Sequence, residues 1–258
     1  MILLGLLSFL MCFVYAAGRE DDASCHLSIN GNGPVRGINT EVTFTSERGY
    51  VKGYVEYPAV DLPLQDGLLD VSGGVGIGVL EVVRSHASRP EVLQKGSIML
   101  ETSEIGDDIV TYLLSSEQIN SAMGLGVQID EQQGHIKSAV GFLCTVLPGC
   151  TDEELSVVEK NIGSVTKMNL LVNGKKTVAE ILLMLTDKLG EQFRNVTPLV
   201  QKCTCSEDKF LQSFKLLGQK ELQDIIDKNE KYEKIRCHWC NSETKFAPSA
   251  LKSLIDVA

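Results

Sequence analysis

Four cysteines near the C-terminus stand in two close pairs. One residue separates Cys203 from Cys205, and two residues separate Cys237 from Cys240. Each pair can supply two thiolates from one short turn, and the chain between the pairs can fold back to close a tetrahedral Zn²⁺ site. The pattern therefore predicts that these four cysteines bind one zinc ion per chain in the reduced protein. His238 lies inside the second pair, but a cysteine is available on each side of it, so it is not expected to be a ligand.

The spacing of the first pair leaves the role of this centre open. A C-x-C pair makes a tighter and more strained chelate than C-x-x-C, and a site that is meant to be dismantled can use such strain. Zinc-held thiolates are also the species that oxidants attack. Three interpretations remain from the residues alone: a static structural zinc site, a zinc site that responds to oxidation, and structural disulfides.

Motifs along nearly the whole chain resemble the redox-regulated thirty-three-kilodalton heat-shock chaperone family. In the C-terminal region these motifs are residues 203–206 (CTCS), residues 216–222 (LLGQKEL), and residues 237–241 (CHWCN) followed by Lys245 and Phe246. Upstream, in matching order, they are residues 32–34 (NGP), residues 112–119 (YLLSSEQI) followed by Ser121, and residues 141–149 (GFLCTVLPG). The chain departs from the family pattern at Thr244, at Lys52 and in a shortened N-terminus.

The resemblance implies a redox-regulated, ATP-independent holdase that binds unfolding client proteins. It implies that oxidation joins Cys203 to Cys205 and Cys237 to Cys240, that zinc is released, and that a helical linker then exposes apolar surface. It also implies a homodimer of the oxidised form and a cytoplasmic location. The alternative class is a static zinc-binding interaction module without chaperone activity.

Composition narrows the classes of partner and activity. The chain has 258 residues and a formal net charge of -10, which argues against nucleic acid as a partner because phosphate binding needs a basic face. Hydrophobic residues make up 43% and charged residues 22%, which is ordinary for a globular protein without membrane spans. No zinc-protease, nucleophile-elbow or phosphate-loop motif is present in the sequence, so we expect a protein that is not an enzyme.

The remaining cysteines, Cys12, Cys25, Cys144 and Cys150, are scattered, and they are too few for a disulfide-stapled scaffold. Because free cysteine is among the most buried residue types, we expect all four to be small core residues. Cys144 and Cys150 flank Pro148 and Gly149, and their spacing allows a disulfide without requiring one.

Residues 1–17 form an almost unbroken apolar run with two competing interpretations. The run and the polar residues after it resemble a secretory signal peptide, but no Lys or Arg precedes it. The family resemblance instead makes residues 3–10 the tail of a buried core helix, and we favour this interpretation. An organellar or secretory location is the alternative if the run is a targeting segment.

Strand patterns dominate the first half of the chain. Short β-branched or aromatic runs predict strands over residues 25–30, 42–44, 50–57, 79–83 and 96–101. Residues 73–78 (GGVGIG) do not fit the dinucleotide-binding pattern and are predicted to form a glycine-rich hairpin. A helix opening near Ile105 should place Ile109, Tyr112 and Leu113 on one face.

After Gly149 the pattern becomes helical. Thr151 with Glu154, and Thr177 with Glu180, have the spacing of capping boxes. Ser206 is predicted to cap a helix that carries Phe210, Phe214 and Leu217. The predicted fold is thus α+β, with a strand-rich core domain over residues 1–149, a helical linker over residues 150–200, and a small C-terminal four-cysteine zinc domain over residues 201–258. Because the last domain has few apolar residues, it should depend on its metal. The family resemblance implies that this domain is the redox switch.

Overall fold

The computed structural model describes residues 23–65, 68–86, 89–129, 136–167, 176–190, 197–228 and 232–255. The predicted helix over residues 3–10 and Cys12 lie outside the described residues. The described residues divide into two compact units, with the boundary between Gln201 and Lys202. In the described part of the chain, no helix is long and apolar enough to cross a membrane.

The first unit combines strands and helices, so the predicted α+β class is confirmed. Its strands are β1 (Ala23–Gly31), β2 (Gly37–Phe44), β3 (Gly49–Val55), β4 (Leu64–Gln65), β5 (Leu68–Leu69), β6 (Gly78–His86), β7 (Arg89–Met99), β8 (Ser121–Ile129), β9 (Ile136–Thr145) and β10 (Leu199–Gln201). Its helices are α1 (Val71–Val75), α2 (Ile105–Glu117), α3 (Asp152–Lys167) and α4 (Val178–Leu185).

Six strands form the central sheet, in the order β10-β3-β2-β1-β6-β7. All neighbours are antiparallel except β10, which pairs with β3 in parallel. Alternation along β1 buries Cys25, Leu27 and Ile29 on one face. Their partners continue the same apolar rows, since Ile29 lies opposite Ile38 of β2 and Leu80 of β6. One face of the sheet therefore forms the main core.

Helix α2 packs on that face, and the predicted helix with one shared apolar face is confirmed. Ile105, Ile109, Tyr112 and Leu113 are all buried in the main core. The Tyr112 hydroxyl donates a hydrogen bond of 3.1 Å to Glu117 Oε1, and the same carboxylate forms an ion pair with Arg84 of β6. Burial and the negative charge of Glu117 raise the pKa of Tyr112 to about 12. The segment 112–119 thus joins the helix to the sheet.

The glycine-rich segment differs from its prediction. Residues 73–75 belong to the short helix α1, which Asp70 caps by accepting a hydrogen bond of 2.9 Å from Gly73 N. The predicted hairpin is wrong because the backbone here bonds to another segment: Gly33 N donates to Val75 O at 2.9 Å, and Val35 N to Gly74 O at 3.1 Å. These hydrogen bonds join residues about forty positions apart, so the local sequence pattern does not indicate them.

Helices α3 and α4 pack together on the antiparallel β8–β9 hairpin. Val165 of α3 and Ile181 and Leu185 of α4 form a buried cluster against Val140 and Phe142 of β9. Asn161 Nδ2 joins the helices by donating to the carbonyl oxygens of Leu185 (3.1 Å) and Asp187 (3.0 Å). This second core gives α3 and α4 an apolar face to cover.

Both predicted capping boxes are confirmed. Glu154 N donates to Thr151 Oγ1 at 3.2 Å, and Thr151 N donates to Glu154 Oε2 at 2.9 Å. Thr177 and Glu180 form the same reciprocal pair at the start of α4. The first turn of each helix is therefore held by its own sequence.

The second unit consists of three helices and a hairpin. Its elements are α5 (Glu207–Lys215), α6 (Gln219–Asp227), β11 (Glu233–Arg236), β12 (Glu243–Phe246) and α7 (Pro248–Ile255). Its buried core is small and contains Phe214, Leu222, Ile226, Phe246 and Leu251. The rings of Phe214 and Phe246 meet edge to face, with centroids 5.6 Å apart.

The predicted cap of α5 is confirmed, but one member of its apolar stripe is wrong. Ser206 Oγ accepts a hydrogen bond of 3.3 Å from Lys209 N. Phe214 is buried and Phe210 is partly buried, as a helical stripe requires. Leu217 lies beyond the end of α5 and is half exposed, because the helix ends at Lys215 and Gly218 starts α6.

Candidate metal centre

The structure brings together the sulfur atoms of Cys203, Cys205, Cys237 and Cys240. All four Sγ atoms lie within 4.8 Å of one another. Cys203 and Cys205 come from the segment between β10 and α5, and Cys237 and Cys240 from the turn between β11 and β12. Cys237 is buried, Cys203 and Cys205 are half-buried, and Cys240 is exposed.

Backbone hydrogen bonds shape the turn that holds the second pair. Cys237 N donates to Ser242 O at 2.9 Å, and Asn241 N donates back to Cys237 O at 2.8 Å. Asn241 has a φ of 58°, a left-handed conformation that asparagine adopts more readily than most residues. The turn therefore directs both thiols of the pair toward one point.

The distances between sulfur atoms suit a shared metal ion. Cys203 Sγ lies 3.6 Å from Cys237 Sγ, and Cys205 Sγ lies 3.6 Å from Cys240 Sγ. A tetrahedral zinc ion with bonds of about 2.3 Å to sulfur separates its ligands by about 3.8 Å. A disulfide would require about 2.05 Å, and all seven described cysteines are free thiols. The reduced centre can thus hold one metal ion, and its all-sulfur donor set suits a soft cation.

Ser242 belongs to the centre although its position in the sequence did not predict this. Its Oγ lies 3.1 Å from Cys240 Sγ and 3.5 Å from Cys205 Sγ. Hydrogen bonds from the Ser242 hydroxyl and backbone N–H lower the pKa of Cys240 to about 6. Its position two residues after Cys240 is the only sequence signal, and serine is too common at a turn for that signal to be specific.

The sulfur atoms differ in how readily they lose their protons. Desolvation of Cys203, reinforced by hydrogen bonds with the neighbouring thiols, raises the pKa of Cys203 to about 12. In the metal-free centre Cys240 therefore ionises at a lower pH than Cys203, which keeps its proton near neutral pH. A bound cation must replace that proton, because metal binding requires the thiolate form.

The remaining cysteines have different environments. Cys25 is buried in the central sheet, which confirms the prediction for that residue. Cys144 is half-buried at the end of β9, and Cys150 is exposed. The prediction of a core position is wrong for Cys150, because it ends an exposed turn and is itself exposed.

Comparisons with known proteins identify the family. The model of the Hsp33 protein family matches residues 2–247. The 33 kDa chaperonin of Staphylococcus carnosus is 34% identical over 92% of this chain and 79% of its own length. The 33 kDa chaperonin of Caldanaerobacter subterraneus subsp. tengcongensis is 35% identical over 93% of this chain and 80% of its own length.

A solved structure agrees with these relatives. The crystal structure of the 33 kDa chaperonin (heat shock protein 33 homolog) from Thermotoga maritima superposes with a TM-score of 0.81 and 28% sequence identity. The superposition covers 98% of this chain and 84% of the Thermotoga maritima chain. The resemblance inferred from the motifs is therefore confirmed by sequence and by fold: the chain belongs to the Hsp33 protein family.

Proposed function

We propose that this protein is a redox-regulated, ATP-independent holdase whose switch is the four-cysteine centre. The observation that carries the proposal is the cluster of four free thiols within 4.8 Å of one another in the small C-terminal unit. The names of the relatives support a chaperone. We further propose that zinc is the resident ion, since four thiolates with this spacing suit its tetrahedral coordination.

In the reduced state the centre stabilises the second unit. Bound zinc would supply a cross-link between the segment before α5 and the β11–β12 turn. Cys203, Cys205, Cys237 and Cys240 would be its ligands. In the described part of this unit the hydrophobic cluster contains five buried side chains, so its folding should depend strongly on this cross-link.

Oxidation would remove the ligands. Two disulfides form when the four thiols lose four electrons and four protons to an oxidant such as peroxide, and a disulfide offers no thiolate to a metal. As the family resemblance implies, Cys203 would join Cys205 and Cys237 would join Cys240. Every pair of these sulfur atoms lies within 4.8 Å, so either bond requires only a small movement.

The linker helices are the proposed cover of the client-binding surface. We assign residues 1–149 to the core, residues 150–200 to the linker and residues 201–258 to the switch. In the reduced form α3 and α4 cover Val140 and Phe142 of β9. Release of the helices would expose this apolar face, together with their own Val165 and Ile181, to the apolar segments of unfolding clients.

The chain links the switch to the core through a short strand. Only Lys202 lies between the end of β10 and Cys203, and β10 pairs with β3 at the edge of the central sheet. Unfolding of the second unit therefore acts on a strand that has only three paired residues. The expected compartment is the cytoplasm, where the resting thiols stay reduced, and the expected active form is a homodimer.

Serine variants of the second pair test this function. Cys237→Ser and Cys240→Ser each remove one ligand, so both should weaken zinc binding and suppress client aggregation in reducing buffer, at least in part. The unaltered protein and the exposed-thiol control Cys150→Ser should do little in the same buffer. If the serine variants stay inert while their C-terminal unit is unfolded, a static zinc module becomes the better description.

A further inference from the structure

Strand β7 has one unpaired edge in the central sheet. It ends the six-stranded order, and among the described strands none pairs with it on the side away from β6. Leu93 and Met99 are each 60% exposed, and Lys95 and Ser97 between them are exposed as well. An edge strand of this kind presents backbone donors and acceptors with which another extended chain can pair.

The register with β6 shows which backbone groups of β7 point outward. Leu100 N donates to Gly78 O at 2.9 Å. Because bonded and non-bonded residue pairs alternate along an antiparallel ladder, the backbone groups of residues 94, 96 and 98 also point to β6. The residues between them point their N–H and C=O groups away from the sheet, and we call them the outer row: Lys95, Ser97 and Met99.

The features that normally protect an edge strand lie away from the outer row. Proline, irregular pairing and lysine side chains commonly prevent pairing at an edge. Pro90 and the register shift between Arg84 and His86 are both at the other end of β7. Lys95 Nζ forms an ion pair of 2.7 Å with Glu81 of β6, so this lysine lies across its own sheet. The backbone of the outer row is therefore accessible to an added strand.

A polar cavity lies beside the same edge, on the face of the sheet that α2 covers. Its volume is about 430 Å³, and its lining is mostly polar, with side chains from Arg84, Gln94, Lys95, Tyr112, Ser116 and Glu117. Gly96 also lines it, and a β-carbon at this position would lie 2.6 Å from the Tyr112 hydroxyl. The strand edge and the cavity thus meet at a residue that has no side chain.

The edge and the cavity together fit an extended polypeptide. Alternate side chains of an added strand point to the α2 side of the sheet, so the residue opposite Gly96 points toward the cavity. Arg84 and Glu117 neutralise each other as an ion pair. The cavity therefore suits a neutral side chain that both donates and accepts hydrogen bonds, as the amide of glutamine does. Backbone pairing would supply affinity, and the cavity would select the side chain.

We propose that the outer edge of β7 binds an extended segment of an unfolding client as an added strand, with an amide side chain in the cavity beside Gly96. That the occupant is a client rests on the proposed holdase function. The residues of this site belong to the first unit and include none of the four candidate metal ligands. The site is also separate from the β9 residues that α3 and α4 cover, so it should bind in the reduced, zinc-loaded protein.

A second copy of the chain fits this edge less well. Two β7 strands paired about a twofold axis at Lys95 would place the two lysines directly opposite each other, which is unfavourable. An axis at Gly96 would place glycine opposite glycine and bring no side chain to the cavity. An axis at Ser97 would bring Ile98 there, although this residue packs against the main core. A client segment, which can supply a polar side chain at that position, is the better occupant.

A synthetic peptide tests the site in reduced, zinc-loaded protein. The probe is a short fluorescent peptide of alternating threonine and valine with glutamine at its centre, and binding is followed by fluorescence anisotropy. Two further forms carry N-methyl groups at alternate residues, one form on each edge of the extended peptide. Only one edge of an added strand faces β7, so one form should bind like the parent and the other about tenfold or more weakly. Equal affinities of the two forms would overturn strand addition, and equal affinity of a peptide with central leucine would overturn the role of the cavity.

Variants at the centre of the outer row test the same contact from the protein side. Ser97→Pro removes an outward N–H and keeps those that bond to β6, so peptide binding should weaken by about tenfold or more. Ser97→Ala keeps the N–H and should bind normally. Hydrogen exchange in β1 and β6 checks that the proline variant retains its sheet, and the methylated peptides test the contact in unaltered protein. Normal binding by Ser97→Pro would overturn the proposal, and so would a dimer of the reduced protein that Ser97→Pro abolishes.

These measurements separate the edge site from the thiol switch. Peptide binding is measured while zinc is bound, so its absence would overturn the edge site and leave the zinc-release test of the holdase unaffected. Conversely, failure of zinc release to produce activity would leave the difference between the two methylated peptides unchanged. Peptide binding that disappears in Ser97→Pro but persists in Ser97→Ala is the expected result.

Discussion

At the level of single residues, Ser242 favours the ionised form of Cys240 in the metal-free centre. Its hydroxyl and backbone N–H donate to the Cys240 sulfur and lower the pKa of Cys240 from the ordinary 9.0 to about 6. Ser242→Ala removes the hydroxyl and leaves the backbone donor, so the pKa of Cys240 should rise part of the way toward 9. Alkylation of Cys240 in reduced, metal-free protein near neutral pH should then slow on the order of threefold.

A matched serine distinguishes this effect from a general change in stability. Ser253 lies in α7 of the same unit, where its hydroxyl donates to Ala250 O at 2.7 Å. Ser253→Ala should leave the pH profile of Cys240 alkylation unchanged. Identical profiles for Ser242→Ala and the unaltered protein would show that the hydroxyl does not stabilise the thiolate.

The candidate metal ligands could be predicted from the sequence, but the hydrogen bonds that set the pKa of Cys240 could not. Cys203, Cys205, Cys237 and Cys240 are visible because two short spacings separated by a long interval are characteristic of metal binding. Ser242 gives no such signal, because its hydrogen bonds depend on the fold of the β11–β12 turn. The usual burial of cysteine predicts a core position for Cys150, whereas the structure places it at the end of an exposed turn over Gly149.

At the level of helices and strands, the α3–α4 pair is the element that the proposal requires to move. Ile181 of α4 is buried in the cluster with Val165 and Leu185. Ile181→Ala should destabilise this layer by about 2–4 kcal/mol, since it removes buried methyl groups and leaves a cavity. Hydrogen exchange in α3 and α4 should accelerate in reducing buffer, and client binding should begin while zinc is still bound.

A second position on the same helix provides the control. Leu183 is 44% exposed, so Leu183→Ala should change the stability by less than about 0.5 kcal/mol and leave exchange and client binding as they were. If Ile181→Ala loosens the helices without any gain in client binding, the linker does not cover the client surface.

Local signals predicted the helices better than the glycine-rich segment. Helix α2 follows from the spacing of Ile109, Tyr112 and Leu113, and the capping boxes of α3 and α4 follow from residues three positions apart. The hairpin predicted at residues 73–78 is wrong because the hydrogen bonds of this segment run to residues 33–35, far away in sequence. Sequence periodicity reports which face of an element is buried but not which distant segment covers it.

At the level of the whole molecule, the two units should respond differently to loss of metal. All four candidate ligands lie in residues 202–258, whereas the main core belongs to the first unit. A chelator should therefore unfold the second unit and leave the central sheet intact. Hydrogen exchange should stay slow in β1, β2 and β6 while it accelerates in α5, α6 and β12. A global loss of β-structure on chelation would contradict this division.

The order of two events tests the central claim most directly. Reduced, zinc-loaded protein is treated with peroxide and mild heat, and free zinc and the suppression of client aggregation are followed in the same sample. The proposed switch predicts that zinc appears in solution in step with activity, because oxidation of Cys203, Cys205, Cys237 and Cys240 removes the ligands before the linker loosens. Oxidised protein that gains activity while retaining its zinc would contradict the account, and so would protein that loses all its zinc and remains inactive.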